Sequence, residues 1–328
     1  MLVTGANGAG KTNLLEALHV GTQGFSPRTR ADVQLVRFGE QAARVRVRGV
    51  RGAVATELEV ALKSGEGKQA RLNGARLAAA EQLRHEVATL VFTPDRLAVA
   101  KGGPAARRAY FDRSLGRLLP ARAALSAEYA AAVGQRNAAL RRVTAGASDR
   151  DALAPWTVQV ATLGAALVIA RREACSLLAK PFARAADELG LPAAAILYDA
   201  EEPTVVELER LLRRDLERGT TGAGPHLDEI AIVSGDRDLR SYGSQGEQRL
   251  AVLSLLLAEA SLLTERRGVP PLLLLDDVLS ELDAGRRAVL VRQLEGRGQT
   301  VITTTTRDAL PGEPAQLLAV TPGAVVQG

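Results

Sequence analysis

The sequence predicts a mixed α/β fold interrupted by a helical insertion. A glycine-rich turn opens a helix at residues 5–12, and an apolar run at 272–275 ends in two carboxylates. Between them lies a long alanine-, leucine- and arginine-rich stretch with helical spacing. At 328 residues the chain exceeds the usual single-domain length, so two domains, or one large domain carrying an insertion, are expected. Hydrophobic residues at 46% and charged residues at 24% suit a globular chain folded throughout.

From Arg44 to Leu62 branched apolar and polar residues alternate, which predicts antiparallel strands with one wet face. Asn73-Gly74 marks a hairpin turn. Thr89-Leu90-Val91-Phe92 reads as a short strand stopped by Pro94. Arg107 to Leu191 predicts a helical block, broken near Thr144 to Asp149 and at Ala154-Pro155. It is either a helical half of the core or an inserted arm, and its position between the two chemical motifs favours the arm. After Pro203 the pattern turns sheet-like, with strands at Ile230 to Val233, Leu272 to Leu275 and Val301 to Thr304, and a helix from Gln245 to Leu263. A discontinuous head of residues 1–105 and 204–328 with an arm at 106–203 is therefore expected.

The net charge of +5 suits a partner with a phosphate backbone but does not identify one, and a coding bias toward arginine and alanine explains it equally well. Cys175 stands alone, His19, His85 and His226 are scattered, and no Cys/His cluster has zinc spacing. No apolar run of about 20 residues is evident, so a cytoplasmic protein without a membrane role is expected.

Gly5-Ala6-Asn7-Gly8-Ala9-Gly10-Lys11-Thr12 fits the phosphate-binding loop at every required place, and Asn13 continues it into a helix. Glycines let backbone N–H groups turn toward phosphates, Lys11 offsets their charge and Thr12 offers a hydroxyl to Mg²⁺. Asp276 and Asp277 follow the apolar strand, one placed to join the Mg²⁺ shell and its neighbour to sit beside the attacking water. Ser280-Glu281-Leu282-Asp283 continues the spacing of ABC-type ATPases, where the trailing segment contacts a second subunit. Ser244-Gln245-Gly246-Glu247 resembles the ABC signature turn. It also reads as an ordinary capping box, Ser244 as N-cap and Glu247 three residues on, and the two readings coexist.

Ser26-Pro27-Arg28-Thr29, Phe92-Thr93-Pro94-Asp95, Gly102-Gly103-Pro104 with Arg107 to Asp112, Gln135-Arg136-Asn137, Gly224-Pro225-His226 and Ser244-Gln245-Gly246 look like signatures of the RecF family, in family order. The resemblance runs from Gly5 to about Thr305. It implies an ABC-type, SMC-like P-loop ATPase head with an inserted α-helical arm. It also implies slow, DNA-stimulated ATP hydrolysis, an ATP-dependent homodimer, binding to double-stranded, single-stranded or gapped DNA, cooperation with RecO and RecR in loading RecA, and a place in the SOS response to DNA damage. Lys11, Asp276 and Asp277 take the catalytic places, Gly5 to Asn13 and Ser244 to Glu247 the ATP contacts, Thr12 and Asp276 the Mg²⁺, and Ser280 and Asp283 the dimer contact. Thr304 stands where many ABC ATPases keep a switch histidine, and Leu227 where the family usually has Arg. Only Met1 to Thr4 precede the loop, so relative to the family N-terminal edge strands and their approach to adenine are expected to be missing.

Arg28, Arg30, Lys101, Arg107, Arg108, Arg141 and Arg142 are candidate phosphate contacts to DNA, weighed evenly against a solvated helical face. Aromatic residues at 3% supply base stacking poorly. An ABC transporter subunit, an SMC-like chromosome-organising protein and a small-molecule kinase are the competing classes. The arginine-rich block, the absence of long coiled-coil stretches and the signature turn at Ser244 argue against them in that order.

Overall fold

The computed structural model describes every residue except Arg30, Gly52, Ser64 and Gly328, and leaves the Arg51 side chain undescribed. The chain divides into two compact units, Met1–Arg96 with Leu263–Gly328, and Leu97–Leu262.

The first unit is built on a six-stranded sheet in the order Ala324–Gln327, Leu317–Thr321, Leu2–Thr4, Thr300–Thr304, Leu272–Leu275, Thr89–Phe92. All neighbours run parallel except the terminal hairpin of Leu317–Thr321 with Ala324–Gln327. A strand buried on both faces needs no alternation, which is why Leu272–Leu275 reads as an unbroken apolar run. Leu273, Leu274 and Leu275 are wholly buried, each contributing about 1.5–3 kcal/mol.

A second, antiparallel sheet orders Ala42–Arg51, Val54–Lys63, Gln69–Leu72 and the short strand Ala75–Arg76 edge to edge. Asn73 at φ 49° and Gly74 at φ 83° form the left-handed pair that a tight two-residue hairpin demands, as the Asn-Gly dipeptide predicts. The helix Lys11–Gln23 lies close to this sheet: a Cβ on Gly21 would sit 2.5 Å from Val47 Cγ2, so glycine is required there. Val20, Leu58, Val60, Leu62 and Leu83 form the shared core.

The second unit packs the helices Pro104–Leu118, Leu125–Thr144 and Ala154–Glu188 around Leu115, Tyr129, Val160, Leu167 and Leu208. Breaks fall between Thr144 and Ala154, as expected. Beside them Ala194–Leu197, Ala231–Ser234 and Arg237–Asp238 form a three-stranded antiparallel sheet. Residues 204–262, expected with the head, cluster with these helices instead. The reasons are local: Leu208 joins the helical core, Arg136 reaches Asp215, and Ala194–Leu197 pairs with Ala231–Ser234. The region just after Pro203, read as sheet-like, first forms the helices Val205–Arg210 and Leu212–Arg218.

Buried arginines organise this unit. Arg136 Nη1 meets Asp215 Oδ2 at 2.7 Å with both side chains wholly buried, and Arg171 Nε meets Asp112 Oδ1 at 2.7 Å. The expectation of no membrane-length apolar run needs correction, because the helical stretch Arg150–Glu188, which contains Ala154–Glu188, is long and apolar enough to cross a bilayer by length and composition. Its inward positions Val160, Leu167, Ala170 and Ala174 are core of the unit, and Arg171 within it is ion-paired.

Candidate nucleotide site

The glycine-rich loop joins the strand Leu2–Thr4 to the helix Lys11–Gln23. Gly5 passes so near the neighbouring strand that a Cβ would lie 2.4 Å from the Val320 carbonyl oxygen. Gly10, at φ 107°, caps the helix in left-handed backbone, which a bulkier residue resists. The loop thus turns while the first N–H groups of the helix stay unpaired within it, a ready anion cradle. Lys11 Nζ folds into this turn and donates to the carbonyls of Gly5 at 2.7 Å and Ala6 at 3.0 Å.

Four residues from three distant segments of the sequence meet beside the loop, three through their side chains and Asp277 through its backbone. Thr12 Oγ1 donates to Asp276 Oδ2 at 2.9 Å. Thr303 Oγ1 donates to Asp276 Oδ1 at 2.7 Å and accepts from the Asp277 N–H at 3.0 Å. Asp276 is buried, and its own N–H donates to the Phe92 carbonyl at 2.9 Å. Asp277 sits at φ 50°, a left-handed conformation that aspartate tolerates better than most residues. Its Oδ1 is buried with no hydrogen-bond partner among the described residues. A buried carboxylate oxygen left unpaired costs stability unless something polar meets it, so the arrangement suits a group that holds water or substrate.

The donor set fits magnesium. That ion favours one or two carboxylates with the remaining positions filled by water and nucleotide phosphates. Thr12 and Asp276 would hold it, and it would neutralise charge on the phosphates. Among the described residues no group of three or more His, Cys, Asp and Glu comes together as a metal cage.

After Asp277, the buried Val278 and Leu279 anchor the chain, and Ser280 Oγ donates to the Asp277 carbonyl at 3.0 Å. Asp283 Oδ1 accepts from the Arg286 N–H at 2.8 Å, capping the helix Ala284–Leu294. Ser280 and Asp283 thereby hold a fixed, solvent-exposed turn. The sequence singles out Thr304 and not Thr303. Both are buried, but only Thr303 links the two acids, and the threonine cluster closing an apolar strand is the signal that points to it.

In the second unit, the turn at Ser244 is a capping box. Ser244 N donates to Glu247 Oε2 at 2.8 Å and Glu247 N to Ser244 Oγ at 3.2 Å, opening the helix Gln245–Arg267. These bonds, with Arg237 beside it, hold the Glu247 carboxyl below its ordinary range. Ser244, Gln245 and Gly246 are largely exposed.

The candidate DNA contacts divide by burial. Lys101, Arg141 and Arg142 are exposed, and Arg28 is exposed while pairing with Glu16 at 3.4 Å. Arg107 corrects the expectation: it is 2% exposed, with its guanidinium on Glu229 and the Gly102 carbonyl, so it is spent inside the fold. Arg108 is partly buried and donates to the Asp228 carbonyl at 2.7 Å; burial lowers its pKa. Arg30 lies outside the described residues. Leu227 stands exposed on the turn after His226. His226 Nε2 faces the Thr221 carbonyl at 3.0 Å and must donate to it, leaving Nδ1 to accept from Tyr129 at 2.7 Å.

Comparison with known proteins agrees with this geometry. The family model described as the RecF/RecN/SMC N terminal domain matches residues 1–324. The DNA replication and repair protein RecF of Bacillus subtilis (strain 168) is 34% identical, covering 99% of this chain and 93% of that relative. Its counterpart in Myxococcus xanthus (strain DK1622) is 37% identical over 94% of this chain and 85% of its own. A solved structure of the recombination mediator protein RecF with ATP superposes with a TM-score of 0.88 at 29% identity, covering 99% of this chain and 90% of that one. An SMC head bound to a domain of ScpA, at TM-score 0.57 and 16% identity over 99% of this chain and 89% of its own, shares the fold alone. An SMC-like ABC ATPase head with this loop and this carboxylate pair, matched by relatives over nearly its whole length, belongs to the RecF family.

Proposed function

We propose that the chain binds and slowly hydrolyses ATP as a DNA-binding protein of replication and repair, and that two copies close on nucleotide. The observation that carries this is the junction of Thr12, Asp276, Thr303 and Asp277 beside the loop. Nucleotide phosphates draw Lys11 off the Gly5 and Ala6 carbonyls, exchanging neutral acceptors for charged ones. Asp277, its Oδ1 unpaired, orients the attacking water, while Thr303 holds the Asp277 main chain through its N–H. The exposed turn at Ser244 of one copy meets the γ-phosphate held by Lys11 and Thr12 of the other, and Ser280 and Asp283 line the same seam. Functionally the chain is then a head of residues 1–105 and 204–328 carrying an arm at 106–203.

DNA is held through phosphates by the exposed cations Arg28, Lys101, Arg141 and Arg142. Relatives named for DNA replication and repair, and structures described within a RecFOR pathway, support cooperation with RecO and RecR in the cytoplasm at damaged DNA. The test is ATP turnover with and without gapped DNA: gapped DNA should raise the rate, and Lys11→Met should abolish turnover at unchanged thermal stability. Turnover by Lys11→Met at the wild-type rate would refute the assignment of the loop.

A further inference from the structure

Phe38 is fully solvent-exposed, at 103% relative accessibility, whereas Phe92, Phe111 and Phe182 are wholly buried. Its neighbours behave differently: Leu35 and Val36 pack against the core of the first unit. A turn closed by the Glu40 N–H on the Arg37 carbonyl at 2.9 Å holds Phe38 at its apex, and Gly39 at φ 86° supplies the left-handed backbone that such a turn needs. Nothing lies within 4 Å of where a Cβ on Gly39 would sit, so the turn stands clear of the fold. Leaving a phenylalanine in water forgoes the gain of burying it, and here the ring is displayed on a closed turn rather than on a loose end.

The turn itself carries exposed Arg37 and Glu40, and the positive excess lies on the strand that follows. Four residues beyond Phe38 the strand Ala42–Arg51 begins, and one face of its sheet carries Arg44, Arg46, Arg48 and Arg71 around Glu57 and Glu59, with Arg44 and Arg46 paired to Glu59 and Arg48 to Glu57. Arg44 and Arg48 are 65% and 69% exposed. Arg44 is six positions on from Phe38, at most about 22 Å along the chain. A flat apolar ring with excess cations along the adjoining strand is the combination that holds unpaired bases and their backbone. Four arginines around two glutamates leave that face net positive even with its ion pairs formed, which suits a phosphate backbone better than an apolar partner.

We propose that Phe38 is a stacking platform for an unpaired base of single-stranded DNA, with Arg37 and the arginine face of the adjoining strand engaging the flanking phosphates. This rests on the DNA-binding reading above and assigns it a single-strand contact that composition alone argued against. Aromatic residues are few, but this one is placed where a base can reach it.

The test compares a dye-labelled oligothymidine with a duplex of equal length, by fluorescence anisotropy, for the full chain and for Phe38→Ala and Phe38→Trp. Alanine should weaken oligothymidine binding at least about fivefold while leaving duplex affinity unchanged. Tryptophan should restore binding, with its emission quenched by the oligonucleotide. Unchanged oligothymidine affinity in Phe38→Ala, or equal losses on both DNAs, would overturn the stacking role. So would loss of ATP-driven self-association with oligothymidine binding intact, which would make Phe38 a protein contact. If the wild-type chain bound neither DNA, the DNA-binding reading would fail with it; duplex binding alone would sink only the single-strand contact.

Discussion

Thr303 shows how one hydroxyl can govern a site. It bonds the Asp276 carboxylate and the backbone of Asp277 at once, so it ties both acids to the neighbouring strand. Thr303→Val keeps the shape and removes both bonds, leaving a buried carboxylate oxygen and a backbone N–H short of a partner, at about 1–3 kcal/mol. We expect ATP turnover to fall by about tenfold or more with ATP affinity changed less, because the groups displaced are those to which the proposed mechanism gives the water. Equal kcat in the variant, measured under saturating ATP, would show that the Thr303 bridge is incidental. Gly5 to Thr12 and Asp276-Asp277 were legible because each residue type answers one chemical need at a fixed local spacing. Thr303 was not, since its importance arises only when the strand Thr300–Thr304 lies beside Leu272–Leu275, a pairing that sequence does not print.

At the scale of elements, periodicity served well where one face or both faces of an element have a consistent environment. Thr89–Phe92 and Leu272–Leu275 fall where the apolar runs put them, and the Asn73-Gly74 hairpin follows from backbone chemistry alone. Arg107 failed because a charged residue on a helix looks solvated until its partner, Glu229, folds back from far along the chain. The same kind of long-range pairing makes Arg136 structural. Arg136→Met should cost about 3–5 kcal/mol by stranding buried Asp215, whereas adding Asp215→Leu should recover most of it. Urea denaturation of the single and double variants checks this; equal losses would show that the ion pair is not the cause. Near it, burial lowers the pKa of His226 from 6.5, so the folded chain keeps it neutral. Below that value the unfolded chain takes up the proton first, and stability falls as pH drops from about 6.5 toward the lowered folded pKa. His226→Gln, which can still donate to the Thr221 carbonyl, should lose less thermal stability between pH 7 and 5 than wild type. Parallel curves for the two proteins would show that His226 does not titrate with unfolding.

Over the whole molecule, the division into units differs from the one that motif order suggests. The phosphate loop and the acid pair lie in the first unit, whereas the turn at Ser244 belongs to the second. A composite site built from two copies gives that turn a use that a capping box alone does not require. The most direct measurement is sedimentation velocity with and without ATP on wild type, Asp277→Asn and Ser244→Arg. On the proposed mechanism, Asp277→Asn keeps the shape of the site but removes the group assigned to the attacking water, so an ATP-bound dimer should accumulate for want of the hydrolysis that would reopen it. Ser244→Arg places a long cation in the closing seam and should bind ATP while remaining monomeric. Dimerisation of Ser244→Arg to the wild-type extent, or wild-type hydrolysis by Asp277→Asn, would contradict the two-copy active site.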